Sequence, residues 1–197
     1  MTEESRPIRW RLGSIASTGD EACFAAVVSA PEGQCREYLF RRDATTIGGR
    51  PAFGWDATDW DEHTLYDRGS FKAVMDAVKA FYKACQHKIA LGDSDNRQPQ
   101  PGSVWRLIEV RATDDDSCCV AVVSHPDGQT REYPFVQQPI TVGGEPGFMW
   151  DTNEWDRDTL FDRASYKAVL DAVHAFYEAR QREMALGDDK ERKPPGL

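Results

Sequence analysis

The chain has 197 residues, 40% of them hydrophobic and 29% charged, a composition typical of a globular protein with one large or two small domains. No apolar run is long enough to span a bilayer, which argues against a membrane protein. The formal net charge is -9 and neither half of the chain is basic. This charge argues against general binding to a nucleic-acid backbone and favours a basic partner.

The N-terminal residues and the cysteines indicate the compartment. The segment MTEESRPIRW has neither the basic-then-apolar order of a secretory signal nor an Arg/Ser-rich leader, so we expect a cytoplasmic protein. The five cysteines form no C-x-x-C motif, and an odd count favours reduced thiols over a disulfide framework.

The first elements of each half have the pattern of β-strands. RWRLGSIAS and ACFAAVVSA, with VWRLIEVRA and SCCVAVVSH in the second half, are strongly apolar, and the second of each pair is typical of a central strand. An alternating strand, QCREYLFRR or QTREYPFVQ, and a short fourth strand, TTIGG or ITVGG, follow. The glycine pairs Gly48-Gly49 and Gly143-Gly144 precede a loop, so they indicate a turn or a bulge.

A long amphipathic helix ends each half. Asp67 is the predicted N-cap, Tyr66 and Phe71 stand at the hydrophobic-staple positions, and Gly92 is the predicted stop. In the second half the same roles fall to Asp162, Phe161, Tyr166 and Gly187. Large apolar residues follow at helical spacing from Phe71, so this face is expected to pack against the sheet.

The two halves repeat each other at an offset of 95 residues. Between residues 10–93 and 105–188, 46 of the 84 aligned pairs are identical, and all six tryptophans are in register. Solenoid repeats are shorter, roughly 20 to 50 residues, so the repeat predicts a tandem duplication of a whole small domain. The predicted boundaries are a first β-sheet/helix repeat at 1–92, a linker at 93–103, a second repeat at 104–187 and a disordered tail at 188–197.

These elements predict an α+β fold. Each of the two units would have a three- to four-stranded antiparallel sheet followed by one long α-helix, and the units would pack with pseudo-twofold symmetry. The order of strands and then a helix, twice in one chain, resembles the topology of the PUR and Whirly single-stranded nucleic-acid binding proteins. The basic sheet surface that those proteins use is absent here. The resemblance implies a nucleic-acid site on the sheet, with charge and stacking from Arg36, Tyr38, Phe40, Arg131, Tyr133 and Phe135.

A stripe of alanines runs beside the apolar face of each helix. Helix propensity alone accounts for it, since alanine is the best helix former. The alternative is close contact between two helices, across the pseudo-twofold axis or across a homodimer interface. The helix-contact candidates are Ala73, Ala77, Ala80, Ala84, Ala168, Ala172, Ala175 and Ala179.

The segments before the helices, GWDATDWDEHTLYD and MWDTNEWDRDTLFD, pair tryptophans with aspartates. Tryptophan supplies large contact area at low entropic cost, so these residues are candidates for a recognition patch. Alternatively, the tryptophans cover a small core and the aspartates form turns. An arginine in the first helical turn opposes the helix dipole and is expected to pair with the acidic loop before it. The partner-binding candidates are Trp55, Asp56, Trp60, Asp61, Arg68, Trp150, Asp151, Trp155, Asp156 and Arg163.

Signatures of catalysis are absent from the sequence. It contains no glycine-rich phosphate loop, no G-x-S-x-G and no paired histidines for zinc, and no histidine recurs between the halves. A calcium loop beginning at Asp151 fails because Trp155 and Asp156 occupy its fifth and sixth positions. We therefore expect no metal and no cofactor, and leave enzymatic activity open while favouring its absence.

The predicted function is a non-enzymatic protein-interaction module: a scaffold, an adaptor or an inhibitor whose partner is another, basic protein or a second copy of the chain. The alternatives are a single-stranded nucleic-acid binder, which the charge disfavours, and an enzyme with a pocket between the two repeats.

Overall fold

The computed structural model describes residues 8–63 (the backbone alone for 61–63), 67–91, 104–152, 154–155 and 163–186. Within these ranges the chain forms nine strands and three helices. The strands are β1 (Arg9–Ser17), β2 (Cys23–Ser29), β3 (Cys35–Ile47), β4 (Arg50–Asp56), β5 (Arg106–Ala112), β6 (Cys118–Ser124), β7 (Thr130–Val142), β8 (Glu145–Asp151) and β9 (Met184–Ala185). The helices are α1 (Thr58–His63), α2 (Arg68–Cys85) and α3 (Arg163–Arg180).

All nine strands belong to one antiparallel sheet. Its order is β4-β3-β2-β1-β5-β6-β7-β8, and β9 pairs with β1. At the centre, Ile15 of β1 stands opposite Val110 of β5. Helices α2 and α3 pack against each other and contact the central strands β1 and β5. The molecule therefore has two layers, a wide sheet and a pair of helices.

The prediction of two α+β units is wrong. A unit with its own short sheet would leave one side of β1 or β5 as an exposed edge of unpaired backbone groups, and pairing these two strands removes both edges. Two further backbone contacts link the halves: Ile89 and Trp105 exchange hydrogen bonds of 2.9 and 2.8 Å, and β9 pairs with the start of β1. The repeated sequence is thus not a tandem repeat of domains, and no two units pack about a pseudo-twofold axis.

The core lies between the sheet and the helix pair. A bulge in β1 between Leu12 and Ser14 shifts the alternation by one residue, so that Leu12 and Ile15 both face the core. Strand β5 has the same irregularity after Leu107.

Two β-hairpins extend past the ends of the inner strands. The first part of β3 pairs with β2, whereas Arg41–Ile47 pair with β4. Gly48 and Gly49 form the predicted turn with φ of 58° and 77°, a conformation that glycine adopts without steric cost. We call residues 42–55 the first arm and residues 137–150, built in the same way from β7 and β8, the second arm.

The helix start is confirmed and the helix end is not. The carboxylate of Asp67 accepts a hydrogen bond from the backbone N–H of Ser70 at 3.0 Å and caps α2. Helix α2 ends at Cys85, well before Gly92, because the chain then turns to pair Ile89 with Trp105.

Several predicted features lie outside the described residues: Tyr66, Phe161, Asp162, the two stop glycines Gly92 and Gly187, the linker 93–103 and the tail 188–197.

Candidate functional site

Two of the tryptophan candidates lie in the core. Trp60 of α1 is 0% exposed, and its ring centroid is 4.4 Å from that of Tyr38. Trp155 is also 0% exposed and lies 4.5 Å from Tyr133. In this conformation a partner cannot reach either ring. Their role here is to close the core beside strands β3 and β7.

The other two tryptophans stand at the base of the arms and are half-buried. Trp55 lies on β4 and contacts Tyr82 of α2 edge-on at 5.7 Å. Trp150 lies on β8 and contacts Tyr177 of α3 at 5.3 Å. Each ring anchors an arm to a helix. The segment that was predicted to be a loop therefore begins as a strand.

The aspartates beside them serve local structure. Asp56 accepts hydrogen bonds from the hydroxyl and the backbone N–H of Thr58, and these bonds lower the pKa of its carboxyl group. Asp151 accepts a hydrogen bond from Gln138 at 3.2 Å. Arg68 and Arg163 are exposed at the starts of α2 and α3. The side chains of the other two predicted aspartates, Asp61 and Asp156, lie outside the described residues.

The alanine stripes lie on the two helices that pack against each other. Four members are buried: Ala77, Ala84, Ala172 and Ala179. The other four are half-buried: Ala73, Ala80, Ala168 and Ala175. Because α2 and α3 meet within one chain, a homodimer contact is not needed to account for the small side chains.

The residues of the nucleic-acid alternative face the helices. Tyr38, Phe40, Tyr133 and Phe135 are buried in the core. Their arginine neighbours lie over tryptophan rings, Arg36 over Trp10 and Arg131 over Trp105, each 4.8 Å from the ring centroid. The four rings are therefore closed to a nucleic-acid base in this conformation.

Three of the five cysteines are buried, and the described side chains form no metal cluster. Burial raises the pKa of Cys85 and of Cys119 to about 12, so both are protonated at neutral pH and poor nucleophiles. Among the described residues, no three His, Cys, Asp or Glu side chains are close enough to hold a metal ion.

Exposed apolar side chains concentrate on the two arms. Phe53 is 56% exposed and Phe148 is 67% exposed. Of the seven large hydrophobic residues exposed in the described parts of the chain, five lie in the two hairpins: Ile47, Phe53, Val142, Phe148 and Met149. The sequence reading missed β4 and β8 and hence this surface. The signal was available, because a Gly-Gly pair between segments with alternating apolar residues is a hairpin pattern.

The two arms differ in what lies between them and the helices. In the first arm, the guanidinium of Arg42 lies 3.3 Å from the ring centroid of Phe53 and 4.6 Å from that of Tyr82. Arg42 thus bridges the arm and the helix, while an open pocket of about 530 Å³ lies between Phe53 and Met75. In the second arm, the aligned residue is Gln137, and no guanidinium stands in its place.

An open cleft of about 730 Å³ lies beside the second arm. Gln137, Phe148 and Tyr177 line it together with residues of α2 and α3. Burial raises the pKa of the Tyr177 hydroxyl, so this ring is an uncharged phenol at neutral pH. We call this space the second cleft. Its volume lies in the range of ligand sites in proteins.

The charged side chains of the second cleft come mostly in pairs. Lys72 forms an ion pair with Asp76 on α2, and His174 lies 3.5 Å from Glu178 on α3. Arg182, just beyond α3, also lines the cleft. The lining contains no serine, threonine or cysteine, so its hydroxyl group is the phenol of Tyr177.

No helix in the described part of the chain has the length and apolarity needed to cross a membrane. Comparisons with protein-family models, with curated proteins and with solved structures give no match.

Proposed function

We propose that the chain is a non-enzymatic, cytoplasmic protein-interaction module that binds a basic protein partner through its two arms. The observation that carries this proposal is the placement of the exposed apolar side chains. Large apolar groups usually leave water, and a concentration of them on one part of a surface marks an interaction site. The arms replace the tryptophan and aspartate segments as the contact surface, since Trp60 and Trp155 are in the core.

Proline on each outer strand favours contacts through side chains. β4 and β8 are the edges of the sheet, and an edge strand can in principle pair with a strand of another protein. Pro51 and Pro146 lack the backbone N–H that such a ladder requires. A partner would therefore be held mainly by the apolar side chains of the arms.

The charge of the chain supports a basic partner. A formal net charge of -9 creates a negative field that attracts cationic surfaces and speeds their encounter with the protein. This term depends on ionic strength, because the Debye length falls from about 10 Å at 0.1 M salt to about 3 Å at 1 M.

Affinity capture with an arm variant tests the proposal. The variant carries Ile47→Thr, Phe53→Thr, Val142→Thr and Phe148→Thr, which remove apolar surface and keep a residue suited to strands. A tagged wild-type chain is expected to retain a basic protein from a lysate of the organism that makes it, and the variant is expected to lose that protein. Raising the salt concentration should weaken the capture.

The matched control is Leu39→Thr, which removes an exposed apolar side chain of β3 outside the arms. Circular dichroism and thermal unfolding establish that all three proteins are folded. Retention of the same proteins by all three would overturn the proposal, and so would capture that does not respond to salt. Sedimentation of the purified chain shows whether the retained protein is a second copy.

A further inference from the structure

The second cleft has a counterpart in the same molecule whose occupant is known. Phe53 and Tyr82 align with Phe148 and Tyr177 at the offset of 95 residues. Between the first pair lies a planar cation, the guanidinium of Arg42. The first arm therefore shows that a guanidinium group fits between the phenylalanine of an arm and the tyrosine of the neighbouring helix.

The second cleft keeps both rings but has no cation on the arm; its own cations, Lys72 and Arg182, belong to α2 and to the residues after α3. Gln137 stands where Arg42 stands in the first arm, and it is shorter and uncharged. Phe148 is 67% exposed, against 56% for Phe53, and a cleft of about 730 Å³ is open between the arm and the helices. A guanidinium that entered here could lie against ring faces, where cation–π contact is favourable.

The charges around the two spaces also differ at aligned positions. A groove beside α2 and α3 is lined by Lys79, Lys83 and His87, whereas the second cleft has His174, Glu178 and Arg182 at the aligned positions. Glu178 is thus a carboxylate where the other side has an ammonium group. Lys72, which also lines the cleft, is already engaged by Asp76.

From this correspondence we infer that the second cleft is a docking site for an arginine side chain of the partner protein. The guanidinium stacks on Phe148 and Tyr177, as Arg42 does on Phe53 and Tyr82, and Glu178 supplies the opposing charge. Arginine fits better than lysine, because only a planar guanidinium can stack on a ring while it donates hydrogen bonds in its own plane. The inference rests on the proposed function, since the arginine belongs to the basic partner.

Titration with short peptides, followed by NMR, tests the site without the partner. The probe is a five-residue peptide with a central arginine flanked by glycines, and the reference peptide has lysine instead. The arginine side-chain signals are expected to shift upfield through the ring currents of the cleft. The lysine peptide should bind at least about threefold more weakly, the ratio that corresponds to loss of an exposed cation–π contact.

Three variants locate the binding. Gln137→Arg places in the second arm the side chain that bridges the rings of the first, and it is expected to abolish peptide binding while the protein stays folded. Phe148→Leu removes one ring and should weaken binding by about threefold or more. Phe53→Leu is the matched change in the first arm and should leave the affinity unchanged.

The results separate this inference from the proposed function. Equal binding of both peptides, or equal loss in Phe148→Leu and Phe53→Leu, overturns the arginine site. Binding of benzoate in place of the arginine peptide also overturns it and assigns the cleft to anions through Arg182. If the arginine site fails while the arm variant still loses a basic partner, the proposed function stands; if no arm-dependent partner exists, the proposed function fails.

Discussion

The first and the second arm have the same length and the same Gly-Gly turn, but only in the first does an arginine of the arm lie against a helix tyrosine. Arg42 reaches across to both Phe53 and Tyr82, whereas Gln137 leaves the matching rings open to a cleft. One side chain therefore changes what lies between the aligned phenylalanine and tyrosine rings. Two halves of similar sequence can thus differ in surface shape through the length and charge of one residue.

The helix ends provide a second comparison. Arg180 at the end of α3 donates a hydrogen bond to the backbone carbonyl of Leu12 at 3.0 Å and forms an ion pair with Asp116 at 3.2 Å. The aligned residue at the end of α2 is Cys85, a buried thiol. At this aligned helix position, Arg180 makes polar contacts with the sheet, whereas Cys85 packs in the apolar core.

The largest effect is expected at a feature that the two halves share, the buried tryptophan rings. Trp60→Ala and Trp155→Ala each remove a fully buried ring, so each should lower the free energy of unfolding by about 3–5 kcal/mol. Urea denaturation followed by circular dichroism measures the loss. A loss below about 1 kcal/mol in one variant alone would mean that the two sides of the core are not equivalent, and Glu32→Ala in an exposed turn serves as the control.

An intermediate effect is expected at the helix ends. Arg180→Met keeps the length of the side chain but removes its hydrogen bonds, and should cost about 1.5–3 kcal/mol in the free energy of unfolding. Asp116→Asn keeps the bond to Leu12 and should cost less. Equal losses in the two variants, measured by urea denaturation, would show that the carbonyl contact contributes little.

The smallest effect concerns the arms themselves. Arg42→Gln should destabilise the chain by about 0.5–1 kcal/mol, because it removes a largely exposed cation–π contact. Gln137→Arg should stabilise it by a similar amount. Thermal unfolding of the two single variants and of the double exchange measures both shifts. Destabilisation by Gln137→Arg would show that the second cleft cannot hold a guanidinium as the first does.

Much of the local structure could be predicted from the sequence. The strongly apolar segments became β2 and β6, Asp67 capped α2, and Gly48-Gly49 formed a turn. These features depend on residues within a few positions of one another. The extent of β4 was missed because Trp55 and Asp56 were assigned to an acidic loop, although they continue the alternation that begins after the turn.

The candidate site was less accessible to prediction. The sequence singled out the tryptophans and drew no attention to Phe53 or Phe148, because a phenylalanine in a strand gives no sign of whether it is covered. Trp60 and Trp155 went into the core because Tyr38 and Tyr133 provide rings against which they pack. Exposure is a property of the assembled layers and not of a residue type.

The sequence by itself determined the apolar strands β2 and β6, the cap of α2 and the turns of the arms, since backbone propensity and short-range hydrogen bonds act within a few residues. Only the tertiary structure decided that β1 pairs with β5, that Arg180 bonds to Leu12 across 168 residues, and that Arg42 lies against both Phe53 and Tyr82. The physical reason is that local elements leave strand edges unpaired and side chains uncovered when they form. Which groups pair with those edges and cover those side chains depends on residues that are distant in the chain.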